Sequence, residues 1–156
     1  MATLEIGAKA PAITAKNQKG ETIKLSDFLG KKVILYFYPK DNTPGCTTES
    51  QNFRDLYQEF LDAKCLVFGI SRDSLKSHES FRTKQTLPFP LISDSDEALC
   101  NLFGVIKMKN MYGKQVRGIE RSTFLIDARG TLVQEWRGVK VANHASEVLQ
   151  SARAIG

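Results

Sequence analysis

The stretch Pro39-Lys-Asp-Asn-Thr-Pro-Gly-Cys46 separates two segments of very different pattern. The segment before it, Val33 to Tyr38, is continuously apolar, which is typical of a strand covered on both faces. The segment after it, Thr47 to Lys64, carries apolar residues at helical spacing. The sequence therefore predicts a strand, a turn and a helix, with Cys46 at the point where the turn meets the helix.

Cys46 is predicted at the third position of that helix, because Thr43 is a favourable N-cap residue and Pro44 suits the first helical position. Free backbone N–H groups and the positive end of the helix dipole stabilise an anion there, so we expect the pKa of the thiol to lie below its ordinary value of about 8.5. The same residues also fit a simpler interpretation, in which Thr43 only caps the helix and Cys46 is a small buried hydrophobe. Spacing alone leaves both interpretations open.

The composition fits a globular protein of one domain, residues 1–156, with 42% hydrophobic and 25% charged residues. No stretch approaches the roughly 20 apolar residues of a membrane span, and the first five residues lack the pattern of a signal peptide. The three cysteines include no C-x-x-C pair, which argues against a disulfide framework and a zinc ribbon. We therefore expect a cytoplasmic protein with no membrane partner.

The net charge is +5 and the pI is about 9.2. A basic balance raises the question of nucleic acid, but Lys and Arg are scattered along the chain instead of forming one patch. We interpret them as a solvated basic surface and expect no nucleic-acid partner. A mild positive field also favours the approach of a small anion or of a partner with an acidic face.

Periodicity and turn residues predict the other elements in order. These are a hairpin across Ala12 to Leu25, a capped turn ending at Gly30, a strand at Cys65 to Ser71, a helix from Leu75 capped by Ser74, a strand at Leu91-Ile92, a helix carrying Leu99, Leu102 and Phe103, a loop from Lys107 to Gly118, a hairpin of Ile119 to Asp127 with Thr131 to Arg137, and a last helix from Asn143. This order predicts an α/β fold with helices on both faces of a sheet.

The stretch around Cys46 resembles the peroxiredoxins. Pro39, Thr43 and Cys46 fit the P-x-x-x-T-x-x-C motif of that family. The segments Tyr36 to Lys40, Thr43 to Thr47 and Phe53 to Asp55 are together similar to its bacterioferritin comigratory protein, or Q-type, subfamily. The resemblance extends over nearly the whole chain. It implies a thioredoxin-like fold, with a central mixed sheet flanked by helices on both faces.

The resemblance implies a thiol-dependent peroxidase that reduces hydrogen peroxide and organic hydroperoxides through a sulfenic acid on Cys46. It assigns the Thr43 hydroxyl to hydrogen-bond the peroxide, and Arg121 to stabilise the thiolate and polarise oxygen. No metal, haem or flavin is implied. Three residues of the motif are expected to shape the substrate pocket: Pro39, Pro44 and Gly45.

Without the resemblance, other interpretations hold for several of these residues. Arg121 follows Glu120 and fits a charge on an edge strand, in a surface pair worth less than about 1 kcal/mol. Glu49 fits a structural role in the first turn of the helix. His78 and His144 have no partners at ligand spacing, so we interpret them as surface residues and not as metal ligands.

Many proteins that resemble this chain carry a second, resolving cysteine, either about one helical turn after the nucleophile or in the following helix. This chain has Ser50 at that turn and no cysteine between Leu75 and Gln85. Cys65 and Cys100 lie in apolar segments and are interpreted as core residues.

The missing cysteine predicts a one-cysteine peroxidase whose sulfenic acid is reduced by an external thiol: thioredoxin, glutaredoxin or a small thiol. The resemblance further implies a monomer. The alternative from another functional class is a non-enzymatic chaperone or a redox-sensing interaction module on the same scaffold.

Overall fold

A seven-stranded mixed sheet organises the residues that the structure describes, 4–11 and 13–155 of a computed structural model. The strands are β1 (Thr14–Asn17), β2 (Thr22–Lys24), β3 (Lys32–Phe37), β4 (Cys65–Ser71), β5 (Leu91–Ser93), β8 (Ser122–Ile126) and β9 (Leu132–Arg137), and a separate two-stranded sheet holds β6 (Ile106–Met111) and β7 (Lys114–Ile119). The order of the strands in the seven-stranded sheet is β2-β1-β5-β4-β3-β8-β9.

The predicted strand before Cys46 is the middle of this sheet. All six residues of β3 are buried, as its unbroken apolar run predicts. It pairs parallel with β4 and antiparallel with β8, and at its last residue Phe37 lies opposite Ile70 on one side and Ser122 on the other. The end of β3 therefore lies beside the beginning of β8, and this register brings Arg121 next to the loop that follows β3.

Four helices cover the two faces of the sheet: α1 (Pro44–Asp62), α2 (Leu75–Gln85), α3 (Ala98–Leu102) and α4 (His144–Ala154). Apolar residues of α1, α2 and α4 share one buried cluster with Ile34 and Tyr36 of β3. Residues of α3 share a second cluster with Leu35 and Phe37. Because alternate strand residues point to opposite faces, the two clusters lie on opposite faces of the sheet. The predicted α/β architecture with helices on both faces is confirmed.

The apolar stripe predicted for the first helix packs against the sheet. Phe53 and Phe60 are fully buried, and Leu56 and Tyr57 are partly buried against the same cluster. Leu61, at the margin of the stripe, remains 39% exposed. The stripe holds α1 along the sheet, so the first turn of the helix stays at the end of β3.

The loop predicted for Lys107 to Gly118 is wrong, because this segment forms the β6–β7 hairpin. Its turn places Tyr112 and Gly113 at φ 54° and 80°, the left-handed pair that a two-residue hairpin requires. A non-glycine residue at the first of these positions, and an exposed hairpin with little apolar alternation, conceal the strand pattern in the sequence.

The remaining boundaries follow the sequence closely. The N-terminal hairpin is present as β1 and β2, although Ala12 lies outside the described residues. Ser74 caps α2, since its hydroxyl accepts a hydrogen bond from the Ser77 N–H at 3.1 Å. The predicted strand from Ile119 starts only at Ser122, because Ile119 ends β7. None of the helices in the described part of the chain is both long and apolar enough to cross a membrane.

Gly69 of β4 tests how tightly the face beneath α1 is packed. A Cβ at this position would lie 2.7 Å from the Tyr36 hydroxyl oxygen and 2.8 Å from a methyl carbon of Leu91. We expect Gly69→Ala to lower the free energy of unfolding by about 1–3 kcal/mol, measured by urea denaturation, because overpacking a core forces its neighbours to shift. Gly118→Ala, in β7, is the matched control, since its Cβ would lie 3.9 Å from Nη2 of Arg72, an ordinary contact distance. Equal stability of the two variants would contradict the packing argument.

Candidate active site

Three elements meet around the Cys46 sulfur: the end of β3, the first turn of α1 and the beginning of β8. The helix starts at Pro44 with Thr43 as its N-cap residue, so Cys46 occupies the third position, as predicted. Its side chain is buried, with 1% of the residue exposed. The cysteine is thus held at the positive end of a helix and away from bulk water.

Arg121 provides the cation of the site. One guanidinium nitrogen, Nη2, lies 3.4 Å from the Cys46 sulfur, and the other, Nη1, lies 2.7 Å from Oε1 of Glu49. The side chain is 17% exposed, so the surface ion pair considered for Arg121 from the sequence is not what the structure contains. A guanidinium holds its proton at every working pH, and it therefore presents a fixed positive charge to the sulfur.

Gly45 makes room for this arginine. A Cβ at position 45 would lie 3.2 Å from Nη2 of Arg121, which is tighter than ordinary contact. Pro44 precedes it at the first helical position, where the missing N–H breaks no helical hydrogen bond. Pro39 lies partly buried in the loop between β3 and α1. Pro44 and Gly45 therefore lie directly before Cys46 in the first helical turn, and the role of the three residues in shaping the substrate pocket stays a prediction.

Thr43 does not use its hydroxyl to cap the helix. Its Oγ1 donates a hydrogen bond to the carbonyl oxygen of Lys40 at 2.8 Å, inside the loop. Thr43 therefore occupies the predicted N-cap position, but its side chain makes no capping hydrogen bond. Because the hydroxyl proton is already donated, the lone pairs of Oγ1 remain free to accept a hydrogen bond from a substrate O–H.

Glu49 is the site residue whose role the sequence understated. It lies three residues after Cys46 on α1 and is 1% exposed. Burial raises the pKa of its carboxyl from 4.5 to about 7, although the charge and hydrogen bond of Arg121 act in the opposite direction. Its second oxygen, Oε2, has no hydrogen-bond partner among the described residues. The spacing from Cys46 was visible in the sequence, but the burial was not.

The two histidines are not surface residues, and that prediction is wrong. His78 is completely buried between Asp41 and the carbonyl of Ile92. His144 is also buried, 2.8 Å from Thr123 Oγ1, and burial, followed by the charge of Arg121, lowers the pKa of its ring to about 4. Their partners are distant in sequence, which explains why local pattern could not reveal them.

The other two cysteines are buried and lie apart from Cys46. Cys65 pairs with Lys32 at the first residue of β3, and burial raises the pKa of its thiol to about 12. Cys100 belongs to the cluster on the opposite face of the sheet, and burial raises the pKa of its thiol as well. Both observations agree with the interpretation of these residues as part of the core.

Sequence comparison identifies the family. The AhpC/TSA family matches residues 6–135, which is most of the chain. The chain is a peroxiredoxin of this family. Peroxiredoxin Bcp of Bacillus subtilis is 50% identical to it over 151 residues, which cover 97% of this chain and 96% of that protein.

Two solved structures show the same fold. PrxQ of Xylella fastidiosa matches with a TM-score of 0.93 and 46% identity, over 99% of this chain and 98% of that one. The bacterioferritin comigratory protein of Xanthomonas campestris, described in connection with alkyl peroxide reduction, matches with a TM-score of 0.88 and 51% identity over the same shares. The resemblance to the Q-type subfamily and the thioredoxin-like fold are confirmed, and the chain is a thiol-dependent peroxidase.

Glu49 predicts a specific dependence of stability on pH. Its carboxyl has a pKa of about 7 in the folded protein and 4.5 ordinarily, so between these values the folded state binds more protons than the unfolded state. Its contribution to stability is therefore lost as pH rises from about 4.5 to about 7. We expect Glu49→Gln, which cannot ionise, to gain stability relative to wild type between pH 5 and pH 8.

Urea denaturation at four pH values in this interval measures that difference. Glu59→Gln is the matched control, because Glu59 lies on the same helix but is about half exposed in its pair with Arg153. The difference in free energy of unfolding between Glu59→Gln and wild type should be the same at all four pH values. If Glu49→Gln and wild type change in parallel instead, Glu49 does not titrate in this range.

Proposed function

We propose that Cys46 reduces hydrogen peroxide and organic hydroperoxides by direct attack of its thiolate on the peroxide. The sulfur bonds to the oxygen that carries hydrogen, the O–O bond breaks, and the departing hydroxide or alkoxide takes up a proton to leave as water or alcohol. Cys46 is oxidised to a sulfenic acid and the peroxide is reduced. The observation that carries this proposal is the Arg121 guanidinium, 3.4 Å from the sulfur.

Arg121 and Thr43 have different roles in this reaction: Arg121 stabilises negative charge, and Thr43 binds the peroxide O–H. The guanidinium stabilises the thiolate before attack and the negative charge that develops on the oxygens during it. Oγ1 of Thr43 accepts a hydrogen bond from the peroxide O–H, since its own proton is donated to Lys40. Together they orient the O–O bond toward the sulfur, which converts an encounter into a productive approach.

Organic hydroperoxides are included among the proposed substrates because of a similar protein. The Xanthomonas campestris relative, 51% identical, is described in connection with alkyl peroxide reduction. The family membership favours this enzymatic role over a non-catalytic chaperone or redox-sensing module. Peroxide consumption by the purified protein with an added thiol separates the two, since a non-enzymatic module would show no sustained turnover.

The sulfenic acid is resolved by an external thiol. Cys100 is separated from Cys46 by the sheet itself. Cys65 lies opposite Lys32, in the first pair of β3 with β4. The last pair lies five residues further along the strands, about 16 Å away, and Cys46 comes after that end of β3. A disulfide needs Cα atoms within about 7 Å, so neither thiol is placed to reach Cys46 in this conformation.

Ser50 cannot replace a resolving cysteine. Its hydroxyl is buried and hydrogen-bonded to that of Tyr36 at 2.9 Å. A thiol from thioredoxin, glutaredoxin or a small molecule attacks the sulfenic sulfur and releases water, and a second thiol then cleaves the mixed disulfide and restores Cys46. The protein is therefore a one-cysteine peroxidase under this proposal.

Removal of the two polar groups should slow oxidation without unfolding the protein. We expect Arg121→Ala and Thr43→Val each to lower the second-order rate constant for Cys46 oxidation by about a hundredfold or more, the scale seen when a charge-stabilising donor is lost. Stopped-flow measurement with hydrogen peroxide gives the constant, and circular dichroism verifies the fold. Arg153→Ala, which removes an exposed pair with Glu59, should react like wild type. A folded variant that keeps its rate would remove that residue from the mechanism.

The one-cysteine mechanism makes a separate prediction. A Cys65→Ala, Cys100→Ala double variant should turn over peroxide with dithiothreitol at the wild-type rate, because Cys46 alone carries the chemistry. Intact mass after one equivalent of peroxide should show one added oxygen and no loss of two hydrogens. A disulfide from Cys46 to either cysteine in wild type, with activity lost in the double variant, would refute this mechanism and leave the peroxidase activity intact.

A further inference from the structure

A buried polar network lies beside the catalytic loop and outside the site described so far. Its centre is the Asp41 carboxylate, four-per-cent exposed. The carboxylate accepts hydrogen bonds from the Tyr38 hydroxyl at 2.6 Å, from the Ser77 hydroxyl at 2.8 Å and from Nδ1 of His78 at 2.7 Å. The network therefore joins the loop between β3 and α1 to helix α2.

Each nitrogen of the His78 ring has a partner at hydrogen-bond distance. Nδ1 meets the carboxylate of Asp41, and Nε2 lies 2.9 Å from the carbonyl oxygen of Ile92. Both partners are oxygen atoms that accept hydrogen bonds, so each ring nitrogen already faces a protein group. Asp41, Asp73 and His78 have the residue types of a metal site and lie close enough together for one. Because neither ring nitrogen is free, the contacts fit a hydrogen-bonded network and not metal ligation.

Asp73 fixes the backbone at the same point. Its Oδ2 accepts a hydrogen bond from the Asp41 N–H at 2.9 Å. That N–H belongs to the peptide group whose carbonyl is the Lys40 oxygen, and this oxygen accepts the proton of the Thr43 hydroxyl. A peptide group is planar and nearly rigid, so holding its N–H also sets the direction of its C=O.

We propose that Asp73 and His78 are positioning residues for peroxide reduction, which hold the Lys40–Asp41 peptide so that its carbonyl aims the Thr43 hydroxyl at the substrate. His78 holds the Asp41 side chain and Asp73 holds the Asp41 backbone. The lone pairs of Thr43 Oγ1 then point where the peroxide O–H arrives. This inference rests on the proposed role of Thr43 in binding the peroxide.

The test compares two reactions of the same sulfur. Peroxide oxidation uses Thr43, whereas alkylation by iodoacetamide needs only an accessible, reactive Cys46. Asp73→Ala should lower the rate constant for hydrogen peroxide about tenfold, since misplacement of a positioning group costs rate steeply, and leave alkylation within about twofold of wild type. Asp73→Asn keeps an oxygen acceptor for the Asp41 N–H and should restore most of the peroxide rate.

Asp94→Ala is the matched control. Asp94 also accepts backbone N–H bonds, from Leu99 and Cys100, but within the described part of the chain it makes no hydrogen bond to the catalytic loop. It should leave both rate constants unchanged. Asp73 is only partly buried, so Asp73→Ala is expected to fold, and His78→Leu gives a second route to the same loss of peroxide rate.

A double-variant cycle separates this inference from the role of Thr43. In a Thr43→Val background, Asp73→Ala should cause little further loss, because its effect passes through the missing hydroxyl. If Thr43→Val slows oxidation but Asp73→Ala does not, or if the two losses add, the positioning role is refuted and the function of Thr43 stands. Equal loss of peroxide and iodoacetamide rates would assign Asp73 to general structure. If Thr43→Val itself keeps the wild-type rate, the proposed role of Thr43 is refuted, and the positioning role that rests on it is refuted as well.

Discussion

The site depends on one guanidinium shared between two acidic groups in a buried position. Arg121 contacts the Cys46 sulfur through one nitrogen and the Glu49 carboxylate through the other. A buried charge is costly unless it is paired, and the cation favours the anionic form of whichever group it contacts. The pairing of β3 with β8 brings Arg121 to this point, so the chemistry rests on strand register as much as on the motif.

The pKa of Glu49 shows how little the charge of Arg121 offsets burial at this site. Its carboxyl lies 2.7 Å from Arg121, yet burial raises its pKa to about 7. A fully ionised Glu49 would satisfy the arginine and leave less of its positive charge for the sulfur. The charge and hydrogen bond of Arg121 lower this pKa but do not offset the effect of burial, so Glu49 competes with Cys46 for the cation less strongly than an ordinary carboxylate would. Strongly perturbed pKa values of this kind cluster at functional sites.

Local chemistry in the sequence was sufficient for the helix start, the central strand and the third-position cysteine, because each depends on neighbouring residues. Prediction from local sequence failed where contacts between residues distant in the chain determine the structure. His78 and His144 look like surface residues until Asp41 and Thr123 are brought to them by the fold. The β6–β7 hairpin was missed because its exposed strands bury little apolar surface, so no periodic pattern marks them. The Arg121 contacts could be expected only from the family resemblance.

Burial of Cys46 separates the two halves of the catalytic cycle. A small peroxide needs little room, whereas a thiol on a protein must reach a residue that is only 1% exposed. Beyond that turn, α1 is fastened to α2: Gln51 and Arg54 donate to the side chain and carbonyl of Gln85 at 2.8 and 2.9 Å. These contacts hold the helix from Gln51 onward, whereas the turn that carries Cys46 and Glu49 is held at the site mainly through Arg121. Under the proposed mechanism, access for a protein thiol therefore depends on this first turn and not on the rest of α1.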